Sequence, residues 1–103
     1  MEYKIAIIGA GQLGSRYLQG LSKVTLEIEI FVVDVSLNSL NLAKKRWEEV
    51  RNDKITVNYT TDINSLPQHI NLAIISTSSD SRIFVSRQLI KNRVIQLLFL
   101  KKY

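Results

Sequence analysis

Hydrophobic residues gather along this chain in short, nearly continuous runs, separated by stretches in which they recur at helical spacing. The runs of strand length are Tyr3–Ile8, Ile28–Val33, Leu72–Ile75 and Val94–Leu100. Unbroken apolar character is what parallel strands covered on both faces require. Ile28-Glu29-Ile30-Phe31 opens with alternation, which predicts a less covered start to the second strand. A weaker strand, Ile55–Tyr59, alternates as an edge strand does.

Helices are predicted between these runs. From Gln12 to Ser22, Leu13, Tyr17, Leu18 and Leu21 form one stripe. Ser36 has the character of an N-cap, and Leu37, Leu40, Ala43, Trp47 and Val50 recur at helical spacing after it. Ser79 or Asp80 caps a third helix that reaches about Asn92, with Ile83, Phe84, Leu89 and Ile90 to bury. Ile63–Gln68 holds the only proline and has room for one helical turn at most. Strands alternating with helices predict an α/β fold: a doubly wound parallel sheet of about five strands, order 3-2-1-4-5, formed as one domain over residues 1–103.

The turn after the first strand reads Gly9-Ala10-Gly11-Gln12-Leu13-Gly14, and Asp34 ends the second strand twenty residues past Gly14. Strand, glycine turn, helix, strand and terminal acid together form the dinucleotide-binding fingerprint of a Rossmann-like sheet. Gly9 allows a tight exit from the strand, and Gly11 keeps the backbone bare for a pyrophosphate. Gly14 lets the helix pack against the strand. The unpaired amides of the helix's first turn and its dipole favour phosphate. Asp34 is suited to accept hydrogen bonds from an adenosine ribose diol and would repel a 2′-phosphate, and no arginine directly follows it, so NAD is expected in preference to NADP. Turn-shaping glycines and an acid capping the next helix would explain each residue singly, but not their joint spacing. Ser76, Thr77 and Ser78 follow the fourth strand at the predicted switch point, where their hydroxyls either face the cofactor or cap the next helix.

At 103 residues, 46% hydrophobic and 22% charged, the chain has the makeup of one globular domain. It has no cysteine and a single histidine, His69, which excludes disulfides, thiolate metal sites and histidine-rich metal sites. The net charge of +5 is dispersed, with Lys44, Lys45 and Arg46 followed by Glu48 and Glu49 on what reads as a solvated helix face. No stripe of aromatic and basic residues accompanies it, which argues against nucleic acid. No apolar run approaches the roughly 18–20 residues of a membrane span. The start lacks the layout of a signal peptide, so a cytoplasmic location is expected.

Further segments carry a resemblance. Gly9–Gly14 continues as Ser15-Arg16-Tyr17, and the fourth strand runs into Ser76-Thr77-Ser78-Ser79-Asp80-Ser81-Arg82. A helix then leads to Val94–Leu100 and Lys101-Lys102. Over almost its whole length the chain resembles the N-terminal domain of the glucose-fructose oxidoreductase and inositol dehydrogenase family, Gfo/Idh/MocA. The resemblance implies NAD(P) as cofactor and a sugar or polyol as substrate. It also implies a second domain holding most of the catalytic residues. In that family the fifth strand typically ends in Glu-Lys-Pro, with the lysine near nicotinamide and substrate. Here Lys102 alone matches; Lys101 and Tyr103 depart from the pattern. The resemblance therefore implies a cofactor domain whose catalytic half is absent, with Lys102 as its one catalytic candidate and no turnover of its own.

Other features carry less. Arg16 stands either near phosphate or on an exposed helix face, His69 reads as a surface residue, and Trp47 reads as core. A regulatory nucleotide-sensing module would share the glycine turn and acid, but would not need Arg82 or Lys102. A methyltransferase-type domain calls for an acid just before the glycine turn, which Ile5–Ile8 do not supply. The uncharged strand Val94–Leu100 would form an apolar edge that invites pairing with another copy, or a swap or rearrangement of the strand.

Overall fold

Every apolar run of the sequence is a strand of one parallel sheet. A computed structural model describes residues 2–77, 79–91 and 93–100, leaving out the side chains of residues 12, 13 and 79–82. The elements are β1 (Tyr3–Ile8), α1 (Gln12–Leu21), β2 (Ile28–Val33), α2 (Leu37–Val50), β3 (Ile55–Thr60), a 3-10 turn at Ile63–Ser65, β4 (His69–Ile75), α3 (Ser79–Ile90) and β5 (Val94–Leu100). The five strands lie in the order β3-β2-β1-β4-β5, all neighbours parallel, which is a doubly wound Rossmann fold. β4 starts three residues before its apolar run, because His69 pairs with Val94 through backbone groups that hydropathy does not report.

The continuous strands reflect a core on each side. On the α1 and α2 face, Ile5, Ile7, Ile30 and Val32 pack against Leu18, Leu40, Ala43 and Trp47. On the α3 face, Ala6, Ile8, Ala73 and Ile75 pack with Leu66 and Leu89. The predicted helical stripes are buried only in part. In α2, Leu40, Ala43 and Trp47 are buried, while Leu37 and Val50, at the two ends of the helix, remain exposed. In α3, Val85 and Leu89, one turn apart, face the sheet, so Ile83, Phe84 and Ile90 are left exposed. The predicted cap residues Ser79 and Asp80 have side chains outside the description, and Asn92 lies outside the described residues.

The lower part of the α3 face is polar instead. Asn58 Nδ2 donates to Glu29 Oε2 at 3.1 Å, and Lys4 Nζ donates to Glu29 Oε1 at 2.8 Å. The Lys4 amide donates to Asn71 Oδ1 at 2.7 Å, and Asn71 Nδ2 to Gln96 Oε1 at 2.6 Å. These contacts link all five strands in spatial order. The Lys4 hydrogen bond holds the Glu29 carboxyl below the usual carboxylate range, against the opposing effect of partial burial, with Asn58 adding in the same direction.

On the opposite face, Tyr59 of β3 turns its hydroxyl into the interior, where it has no hydrogen-bond partner among the described residues. Burial, with a smaller push from the charge on Glu48, raises this phenol to about 12. An unfolded tyrosine ionises near about 10. The neutral folded phenol therefore contributes stability that is intact below about pH 10 and lost as pH rises towards 12. Tyr59→Phe should remove this alkaline loss. At neutral pH it should leave stability unchanged or raise it by up to about 1 kcal/mol, because it deletes a buried hydroxyl that has no partner. Urea melts of both proteins at about pH 7 and about pH 11 measure the difference.

Candidate functional site

Strand register brings the site together. Ile8 lies level with Val33 and Ile75, and Val33 with Thr60. The next residue on each strand, Gly9, Asp34, Ser76 and Thr61, therefore falls in one row along the carboxyl edge.

The three glycines of the motif meet different demands. Gly9 has φ +98°, a conformation costly for any side chain, and its amide donates to Val33 O at 2.7 Å. A Cβ on Gly14 would sit 1.7 Å from the Gly9 carbonyl oxygen, so α1 touches the turn through bare backbone. A Cβ on Gly11 would meet nothing within 4 Å. Gly11 is the N-cap of α1, and no side chain caps that end, whereas in α2 the Ser36 hydroxyl accepts from the Ser39 amide at 3.2 Å. The first-turn amides of α1, Gln12 and Leu13 among them, are thus available to an anion.

Asp34 joins the turn to the end of β2. Its Oδ2 accepts from the Ala10 amide and its Oδ1 from the Ser36 amide, both at 2.8 Å. Ser36 rather than Asp34 caps α2. An ionised carboxylate has about four acceptor positions, so two remain for a ligand. Ser76 fastens β4 to the same turn: its amide donates to Ile8 O at 2.9 Å and its hydroxyl to Gly9 O at 2.7 Å. Among the described residues, Thr77 Oγ1 is buried without a partner. Between Asp34 and α3 lies a largely apolar cleft of about 320 Å³, lined by Gly9, Val35, Thr77, Phe84 and Val85 among others.

Ser78 and Lys102 lie outside the described residues, as do Lys101 and Tyr103. Arg16 is exposed and donates to Gln19 Oε1 at 2.7 Å. His69 is an exposed strand residue, and Trp47 is core. Sequence reasoning missed Ser15 and Arg46. Ser15 is fully buried, and its hydroxyl accepts from Arg46 Nη1, which draws Arg46 off the solvated face and ties the first turn of α1 to α2. A small hydroxyl residue directly after Gly14 was the available signal. Val35 and Phe84 of the cleft had none, because apolar residues near a helix read first as core. Among the described residues no group of His, Asp or Glu side chains could hold a metal ion, and no helix is long and apolar enough to cross a membrane.

Solved structures share this fold. A candidate NADP oxidoreductase from Bacteroides fragilis superposes with a TM-score of 0.70 at 17% identity, over 98% of this chain and 36% of that one. A diketoreductase acting on dicarbonyl compounds gives 0.67 at 17% identity, over 94% of this chain and 40% of that one. Malate dehydrogenase from Salinibacter ruber gives 0.67 at 16% identity, over 95% and 36%. At such identities the likeness establishes the fold. The chain spans 40% or less of the length of these three proteins. No protein-family model and no curated protein matches it.

The geometry separates the glycines and the acid by experiment. Gly14→Ala should destabilise the fold by about 3 kcal/mol or more, since backbone must move to admit the methyl group. Gly11→Ala should cost less than about 1 kcal/mol. Asp34→Asn should cost about 1–2 kcal/mol, because an amide keeps one acceptor and turns N–H towards the other donor. Urea denaturation of the three variants tests this ranking.

Proposed function

We propose that this chain binds NAD along the carboxyl edge of its sheet, as the cofactor domain of an NAD(P)-dependent oxidoreductase. The observation that carries the reading is the glycine turn itself. Gly9 is left-handed, Gly14 touches the Gly9 carbonyl, and the space beside Gly11 is open at an uncapped helix start. That arrangement suits a pyrophosphate held by backbone amides. The free acceptor positions of Asp34 suit the adenosine ribose diol, and the apolar cleft with the unpartnered Thr77 hydroxyl suits the base. Fold likeness to reductases and a dehydrogenase supports the class of reaction.

A bound nicotinamide cofactor supplies the hydride chemistry. The residues of this chain bind and orient it: the turn anchors the phosphates, and Ser76 and Asp34 hold the turn between β1, β2 and β4. The resemblance to the Gfo/Idh/MocA family extends the proposal to a sugar or polyol substrate, with Lys102 beside the nicotinamide. Substrate contacts then come from outside these 103 residues, and the chain alone binds cofactor without turnover.

NAD should bind at least about tenfold more tightly than NADP, equivalent to about 1.4 kcal/mol, because a 2′-phosphate would face the Asp34 carboxylate. Titration calorimetry with NAD, NADP and a methyl-donor nucleoside checks this. Equal or tighter NADP binding overturns the preference, and binding of the methyl donor alone overturns the oxidoreductase reading. Gly11→Val should abolish NAD binding while the thermal midpoint stays within a few degrees, because its side chain enters ligand space and not the core. Normal NAD binding by that variant would refute the role given to Gly9–Gly14. NADH absorbance assays on a panel of sugars and polyols should show no turnover by the chain alone.

A further inference from the structure

Arg93 lies in the connection between α3 and β5 and is half-buried. The backbone around it is fastened: its own amide donates to Ile90 O at 3.3 Å, and the Val94 amide to Gln68 O at 2.8 Å. Its guanidinium is spent on backbone carbonyls. Nη2 donates to Ile63 O at 2.9 Å and Nε to Pro67 O at 3.2 Å. Nη1 donates to Leu89 O at 3.2 Å and to Gln88 O at 3.4 Å. Two of these carbonyls stand in the last turn of α3, where the helix dipole favours a cation, and two belong to the segment between β3 and β4. The same two elements wall the cleft beside Asp34. Ile63 and Gln88, whose carbonyls Arg93 holds, both line it, whereas Arg93 does not. Ile63 and Val85 also pack on the apolar cluster around Leu66 and Leu89, but apolar contact is non-directional and sets no spacing. The hydrogen bonds of Arg93 do.

We propose that Arg93 is a positioning residue for the nucleotide base: it fixes the 3-10 turn against α3 and so sets the shape of the cleft that the adenine enters. The inference rests on the cofactor reading above. A wall held before binding does not have to be ordered by the base, and an unheld one costs affinity. The tie requires a guanidinium and not merely a positive charge. Its planar fork reaches carbonyls on different sides at once, whereas an ammonium presents its donors from one point on a flexible stem. The coupling is reciprocal: an occupied cleft favours the tie by the factor with which the tie favours the base. The glycine turn stands apart, since its hydrogen bonds with Val33, Asp34 and Ser76 involve none of these groups. Arg93 therefore bears on the base and not on the pyrophosphate.

Two probes separate these roles: ADP, which carries an adenosine into the cleft, and inorganic pyrophosphate, which does not. Amide NMR shifts of Gly9 and Gly11 follow the binding of either. Arg93→Lys should weaken ADP binding by about tenfold and pyrophosphate binding by less than about twofold. Lys91→Gln, which removes a charge beside the same end of α3, should leave the ratio of the two affinities unchanged. Loss of folded protein lowers both affinities by one common factor. Equal weakening of ADP and pyrophosphate in Arg93→Lys therefore overturns the proposal, and so does unchanged ADP binding. In the unaltered chain, the Arg93 Nε–H should exchange with water about tenfold more slowly when ADP is bound, and no more slowly with pyrophosphate. Exchange indifferent to ADP overturns the proposal even where Arg93→Lys does not fold. Failure of ADP to shift the Gly9 and Gly11 amides of the unaltered chain overturns the cofactor reading itself, and this inference with it.

Discussion

The architecture turns on one bare contact, that of Gly14 with the carbonyl of Gly9. The clearance a Cβ would need at Gly14 does not exist, for its nearest neighbour would be a backbone oxygen at 1.7 Å. Because the contact is made without side chains, α1 can start immediately beyond β1 and lie close along the sheet. Leu18 then reaches the core, and Ser15 comes within reach of Arg46 on α2. Had a side chain intervened, α1 would stand off the sheet, and neither the α1–α2 contact nor the open amides at its first turn would occupy their present places.

Around that contact the chain uses polar groups as fasteners. Asp34 accepts amides from both Ala10 and Ser36, and Ser76 donates to the Gly9 carbonyl, so the carboxyl ends of β1, β2 and β4 are bound to one turn. The residue proposed to meet a ribose is thus also the residue that holds the turn in shape. A carboxylate can do both, because each oxygen has a further lone pair.

The same economy is visible on the sheet faces. α1 and α2 cover one face, whereas α3 and a single 3-10 turn cover only part of the other. Across the remainder, Lys4, Glu29, Asn58, Asn71 and Gln96 satisfy one another, so solvated sheet there costs no apolar exposure.

The periodicity of the chain determined much by itself. The element sequence and the parallel pairing follow from continuous apolar runs alternating with helical spacing, because parallel strands need cover on both faces; the order 3-2-1-4-5 is what the glycine fingerprint adds. The glycine turn and Asp34 were legible as well, since spacing along a strand–turn–helix unit is local. What the tertiary structure decided was everything that depends on register. The level alignment of Ile8, Val33, Ile75 and Thr60 brings Gly9, Asp34, Ser76 and Thr61 into one row, and no single segment contains that information. It aims the Ser76 hydroxyl at Gly9, leaves Thr77 Oγ1 unpartnered, and draws Arg46 from a charged surface stretch to Ser15. It also leaves Phe84 and Val85 beside a cleft, although their apolar character alone reads as core. Hydropathy reports whether a residue prefers burial; which neighbour it meets is set by how strands slide against one another, and that is fixed only when the whole sheet assembles.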